Sequence, residues 1–171
     1  MGLLNAVRDI KTMRQVLTDA EAEARRAGED LPAPEHLLVA ATGLSEGSAR
    51  RAFARVGADP DALRQAIEQA HGSALASVGI TTSDSAPLDG GQLGPATGVF
   101  RATPQAQQVW QQAVTLSKPA RPPGIRGAHV VAAVCSLTQG TAVRALVAMG
   151  VDPAALRRAA LVEGGLDDAP Q

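Results

Sequence analysis

The sequence predicts an all-α fold, and two observations carry that prediction. The apolar residues of the 171-residue chain are mostly Ala, Leu and Val, and aromatic residues make up only 2% of it. Small side chains let helices approach toward the short end of the roughly 8–10 Å range of interaxial distances. Apolar residues recur every three or four positions, whereas few alternate with the period of two expected of a strand. One compact domain is expected for this length.

The second half of the chain repeats the first with an offset of 93 residues. Gly, Pro, Asp and His coincide between the two copies as well as Ala and Arg, which indicates an internal duplication. Each copy is predicted to form four helices, so the chain should contain eight. The residues expected to play structural parts in both copies are His36 and His129, Gly57 and Gly150, and Asp59 and Asp152.

Glycine and proline mark the first two helices. Gly28 is placed to end the first helix, since glycine tolerates the left-handed conformation that commonly follows a helix. Pro34 is placed at the start of the second, where its missing N–H costs no hydrogen bond, and Gly43 ends it. The apolar face of the first helix is predicted to carry Ile10, Met13, Val16, Leu17, Ala20, Ala24 and Ala27.

The third and fourth helices follow from capping residues. Ser45 or Ser48 is expected to cap the third helix, which ends at Gly57. Asp59 and Pro60 then open the fourth, because the carboxylate accepts bonds from free N–H groups at the helix start.

The second copy opens with Thr103 as cap and Pro104 as first helical residue. Three prolines within 117–127 are expected to end this helix earlier than its counterpart. Residues 71–102 are rich in Gly, Ser, Thr, Asp and Pro, which predicts a long flexible linker, either disordered or a functional lid. The tail 164–171 is expected to be mobile.

Charge and hydropathy exclude several classes of protein. A formal net charge of −1 lacks the excess of positive charge expected of a protein that binds nucleic acid or an anionic membrane. No stretch approaches the about 20 apolar residues that span a membrane. The single Cys135 cannot form an internal disulfide, in keeping with a reducing compartment. We therefore expect a soluble, cytoplasmic protein.

Two segments resemble a known family. "PEHLLVAATG" (34–43) and "VGADPDALRQAIE" (56–68) are similar to the signature of the double Clp repeat, the N-terminal domain of Clp-type AAA+ unfoldases. Thr103, Pro104 and Ala106 match the "TPRA" opening of that family's second repeat. The resemblance implies an eight-helix, pseudo-twofold pair of four-helix units.

The resemblance also implies a domain organisation. A double Clp N-domain would occupy 1–163, with repeats at 8–70 and 103–163, the linker at 71–102 and the tail at 164–171. The sequence lacks the G-x-x-x-x-G-K-[ST] phosphate loop of an ATPase. We therefore expect a freestanding Clp N-domain.

The function implied by the resemblance is binding without catalysis or a cofactor. Expected partners are Clp unfoldase or protease components, client proteins or peptide ligands. Some bacterial freestanding relatives capture arginine-phosphorylated proteins or antibiotics aimed at the unfoldase. An alternative is an accessory structural subunit that stabilises the Clp protease assembly.

The resemblance singles out Glu35, which occupies the place of the glutamate that pairs with a guanidinium in phosphoarginine-binding Clp domains. An acid in the first turn of a helix can also serve only to complement the helix dipole. The second repeat has Ala128 at the matching position. Thr103 and its neighbour Gln105 are candidates to help hold an anion or peptide, and Phe100 packs between the repeats or anchors a partner.

Two histidines could indicate a catalytic pair, but the duplication explains them as the same residue of each repeat. His36 and His129 should occupy equivalent places in separate four-helix units, each holding its own loop by hydrogen bonds; an enzyme using either is a remote alternative. With one Cys and no His-x-x-x-His or Cys-x-x-Cys spacing, no metal site is expected. Cys135 is predicted to be a small core residue.

Overall fold

The computed structural model describes residues 2–79 and 100–166. Within these ranges it contains eight α-helices, one short 3₁₀ turn and no β-strand, so the all-α prediction is confirmed. None of these helices combines the length and the hydropathy needed to cross a membrane. The helices are α1 (Gly2–Arg26), α2 (Pro34–Thr42), α3 (Ser48–Arg55), α4 (Leu63–Ser77, after the 3₁₀ turn Pro60–Ala62), α5 (Pro104–Ser117), α6 (Gly127–Val134), α7 (Thr141–Ala148) and α8 (Pro153–Glu163).

Equivalent residues of the two repeats adopt equivalent conformations. Gly57 and Gly150 have φ of +70° and +75°, a region that residues with a side chain rarely adopt. Asp59 and Asp152 each accept a hydrogen bond from the backbone N–H two residues later, at 2.9 and 3.1 Å. The offset of 93 therefore relates backbone geometry as well as sequence.

The second helix of each repeat lies at the centre of the molecule. Every residue of α6 is buried, and α2 is buried except at the half-buried Val39. Helices that are apolar on all sides need neighbours on all sides. α1 packs on α2, α5 packs on α6, and the two central helices contact each other.

The outer helices pack across the repeats. α3 lies against α8 and α6, and α4 lies against α7. The buried residues of both halves belong to one continuous apolar core. The repeats therefore interlock, and His36 and His129 do not lie in separate four-helix units as the sequence led us to expect.

The expected serine cap of α3 is wrong. The residue before α3 is Gly47, with φ of +74° and no side chain to cap. Ser48 is the first helical residue, and its N–H donates to Oε2 of Glu46 at 3.0 Å. Ser45 is exposed. A carboxylate two residues before the helix thus replaces the predicted hydroxyl.

Glu46 and Ser48 also cap a helix of the other repeat. Glu46 Oε1 accepts the N–H of Gly127 at 2.7 Å and the hydroxyl of Ser48 at 2.8 Å. Ser48 Oγ accepts the N–H of Ala128 at 2.9 Å. The start of the central α6 is therefore bonded by side chains about 80 residues earlier in the sequence.

The structure departs from the predicted linker and tail at their edges. α4 continues to Ser77, beyond the expected linker start at residue 71. Residues 80–99, to which most of the linker prediction refers, lie outside the described ranges, as do residues 167–171 of the tail. At the start of the tail, the carbonyl of Gly165 accepts the N–H of Arg121 at 2.8 Å.

We predict that Ser48→Ala lowers the free energy of unfolding by about 1–3 kcal/mol, because it leaves the buried N–H of Ala128 without an acceptor. Urea denaturation followed by circular dichroism measures the change. The control is Thr141→Ala, which alters the equivalent position of the second repeat, where the hydroxyl contacts only the exposed Arg144 at 3.3 Å. Equal stability losses in the two variants would contradict a special role for Ser48.

Candidate functional site

Glu35 lies in the first turn of α2, and its side chain is enclosed by the protein. The residue is only 5% exposed. No residue of the described ranges donates a hydrogen bond to its carboxylate or forms an ion pair with it. Because no polar side-chain atom in those ranges is both sealed from solvent and without a partner, the carboxylate keeps a small opening to solvent.

Two further side chains converge on Glu35. Glu29 and His71 each place one ligand atom so that all three atoms lie within 4.8 Å of one another. His71 Nδ1 and Glu29 Oε1 are 3.6 Å apart, and their side chains are 45% and 27% exposed. We call Glu29, Glu35 and His71 the Glu35 cluster.

The end of α1 positions Glu29. Gly28 has φ of +76°, and its N–H donates to the carbonyl of Arg25 at 3.1 Å. The N–H of Glu29 donates to the carbonyl of Ala24 at 2.8 Å. This pair of bonds is the Schellman arrangement, which turns the chain sharply after a helix. It directs Glu29 toward the start of α2.

The surroundings of the cluster leave it acidic. Arg64 is paired with Glu23, whose carboxylate accepts hydrogen bonds from Arg64 Nη2 at 2.6 Å and from Nε at 3.0 Å. Burial lowers the pKa of His36, although the nearby Glu35 and Glu23 act in the opposite direction. Two adjacent carboxylates without a bound arginine favour a cation, and a guanidinium, an ammonium group or a metal ion meets that requirement.

The second repeat has no such cluster. Pro122, Ala128 and Gly164 stand at the positions equivalent to Glu29, Glu35 and His71. Gly164 is needed there because a Cβ would lie 2.9 Å from the ring of His129. The same fold therefore forms with and without the three polar side chains.

The buried histidines bind backbone groups. Nδ1 of His36 accepts the N–H of Ala33 at 2.9 Å, and Nδ1 of His129 accepts the N–H of Arg126 at 3.0 Å. An accepting Nδ1 leaves the ring proton on Nε2, which in His129 donates to the carbonyl of Gly164 at 3.0 Å. Each ring thus holds the loop before its own helix.

The other sequence candidates lie in three different places. Thr103 accepts the N–H of Ala106 at 3.2 Å, and its own N–H donates to the carbonyl of Pro32 at 3.0 Å, beside the loop that carries Glu29. Gln105 is exposed and faces Gly140, before α7. Phe100 is half-buried and packs against the core. Of these, only Thr103 adjoins the loop that carries part of the Glu35 cluster.

Sequence reasoning did not identify a groove between α1 and the segment before α6. The groove has a volume of about 310 Å³. Arg8, Lys11 and Arg126 line it, with Glu46 at its side. Arg126 is held by the carbonyls of Gly164 and Pro122, at 3.1 and 2.9 Å. No local motif signals this groove, because its walls are about 115 residues apart in sequence.

Comparison with known proteins decides the family. Residues 11–88 match the model of the Clp repeat (R) N-terminal domain. This stretch covers the first repeat. The N-terminal domain of the caseinolytic protease associated chaperone ClpD from Arabidopsis thaliana has a similar structure, with a TM-score of 0.60 and 20% identity, covering 95% of this chain and 97% of that one. No curated protein sequence matches the chain.

The recognition of the Clp repeat is therefore confirmed. The family model matches the first repeat by sequence. The structural similarity to the ClpD N-terminal domain covers both repeats, so both have the Clp N-domain fold. Clp N-domains are binding modules for substrates and adaptors of Clp unfoldases, and they are not catalytic. In this chain, burial raises the pKa of Cys135 to about 12, so its thiol is not an activated nucleophile.

We predict that the protein loses stability as the pH falls from about 7 to 5. Burial lowers the pKa of His129 below the ordinary 6.5, so the unfolded chain binds more protons in this range. The stabilisation is complete above pH 6.5 and is lost as the pH falls toward the folded-state pKa. Urea unfolding at several pH values measures it. His129→Gln should flatten the dependence.

The control is Thr141→Ala, which removes no titratable group and should keep the wild-type pH dependence. If His129→Gln also keeps the wild-type slope, His129 does not carry the effect.

Proposed function

We propose that the chain is a non-catalytic Clp N-domain-like module that captures substrates, adaptors or peptide ligands and thereby modulates a Clp unfoldase–protease in the cytoplasm. The Clp N-domain fold over 95% of the chain is the observation that carries this proposal. The raised pKa of the Cys135 thiol supports a binding role over a catalytic one. The two buried histidines support it as well, because Nδ1 of each is occupied by a hydrogen bond from a backbone N–H.

We expect the chain, immobilised as bait, to recover Clp components or client proteins from a cytoplasmic extract. Mass spectrometry identifies what is retained, and the urea-unfolded chain is the control. Recovery of neither class, together with normal proteolysis in a deletion strain, would contradict capture.

The exposed start of α1 favours a second candidate, an accessory subunit that stabilises the Clp protease assembly. Leu3, Leu4, Val7 and Ile10 are 83, 80, 61 and 58% exposed, an apolar face that no described residue covers. Size-exclusion chromatography with a purified protease ring separates the candidates. A docking subunit co-migrates with the ring without client, whereas a capture module requires the unfoldase or a client.

The ligand that we propose for Glu35 is a guanidinium, as in arginine-phosphorylated clients. A planar guanidinium can donate parallel bonds to a carboxylate, and Glu35 and Glu29 offer two carboxylates side by side. The start of α5 at Thr103 adjoins the same loop, and a helix start provides N–H groups suited to a phosphate. Since Ala128 replaces the glutamate in the second repeat, we propose one such site per chain.

Calorimetric titration with phosphoarginine should give one binding event that Glu35→Ala weakens at least tenfold. The substitution reproduces the residue of the second repeat, so the fold should tolerate it, and circular dichroism verifies this. Asp61→Asn, which removes an exposed carboxylate paired with Arg50, should bind as the wild type does. Arginine as a second titrant separates the guanidinium contact from the phosphate contact. Flat signals for the wild type would eliminate this ligand while leaving capture of other segments intact.

A further inference from the structure

We propose that Glu29, Glu35 and His71 form a binding site for a divalent transition-metal ion, with Zn²⁺ as the representative. The proposal does not rest on the proposed capture function, because it follows from the positions of the three side chains. A metal ion and a guanidinium would exclude each other at Glu35.

The spacing of the ligand atoms is close to that of a metal site. Zinc binds imidazole nitrogen and carboxylate oxygen at about 2.0–2.2 Å, which separates tetrahedral ligands by roughly 3.4 Å. His71 Nδ1 and Glu29 Oε1 already lie 3.6 Å apart, and all three ligand atoms lie within 4.8 Å of one another.

The donor set selects the class of metal. An imidazole suits zinc, copper, iron or nickel, whereas magnesium and calcium prefer oxygen ligands alone. Three protein ligands leave one tetrahedral position for water or for a group from a bound molecule. The partial exposure of His71 and Glu29 places that open position toward solvent.

Glu35 provides an independent indication of a ligand. The residue is only 5% exposed, and its carboxylate has no hydrogen-bond or ion-pair partner among the described residues. Burying a carboxylate without a partner is costly, and buried charges are normally paired or coordinate metals.

The second repeat shows that the fold does not require these side chains. It builds the same helices with Pro122, Ala128 and Gly164 at the equivalent positions. A cluster that only one repeat carries, at a cost in buried charge, is better explained by a ligand than by the architecture.

Calorimetric titration of the full chain with ZnCl₂, after removal of bound metal with EDTA, tests the site. We expect one ion per chain with a Kd in the micromolar range or below, and no binding of Mg²⁺. Glu35→Gln keeps the shape of the side chain and should weaken zinc binding at least tenfold, as should His71→Gln. Asp61→Asn, in an exposed carboxylate elsewhere, should bind zinc as the wild type does.

The melting temperature gives a second readout that does not depend on calorimetric heats. The ion would join the end of α1, the start of α2 and α4, so zinc should raise the melting temperature of the wild type but not of Glu35→Gln. Absence of stoichiometric binding would overturn the proposal. Equal affinities for the wild type and Glu35→Gln would overturn it as well, since His71 alone would then account for the binding.

Discussion

The rest of this structure depends on one constraint, which is that the backbone N–H groups at the buried start of α6 must find hydrogen-bond acceptors. A helix start leaves several N–H groups without partners, and α6 begins inside the protein, away from water. Glu46 and Ser48 accept the N–H groups of Gly127 and Ala128 from the other repeat. A Cβ on Gly127 would lie 2.8 Å from the carbonyl of Ala41, so only glycine allows this approach. The two repeats are locked together at this point.

This constraint explains why the duplicated halves have diverged. α2 begins with Pro34, which has no N–H to satisfy, whereas α6 begins with Gly127, whose N–H requires Glu46. In the second repeat the equivalent positions are packed in the interior, where His129 is fully buried and its ring is hydrogen-bonded to the carbonyl of Gly164. The first repeat keeps its own histidine beside an acidic, partly open cluster. One copy therefore serves mainly the core, and the other presents polar chemistry.

Local patterns predicted the helices well because their signals lie within a few residues. The glycine after α1 and the aspartates before α4 and α8 act through hydrogen bonds to near neighbours, and the proline at the start of α2 has no N–H that needs an acceptor. The same patterns could not predict that Glu46 caps a helix some 80 residues away, or that residues 29 and 71 meet. The sequence predicted a linker from residue 71, and not a longer α4, because Gly72 and Ser73 are residue types common in linkers. Packing of α4 against α7 outweighs that weak local preference.

The site also follows from how the repeats interlock. α1 and α2 belong to the first repeat and pack on each other, but α4 packs on α7 of the second. A cation held by Glu29, Glu35 and His71 would contact three segments of the first repeat, which are the turn after α1, the start of α2, and α4. α4 carries His71 and also packs against α7 of the second repeat. The Glu35 cluster therefore includes a residue of the helix through which the first repeat contacts α7.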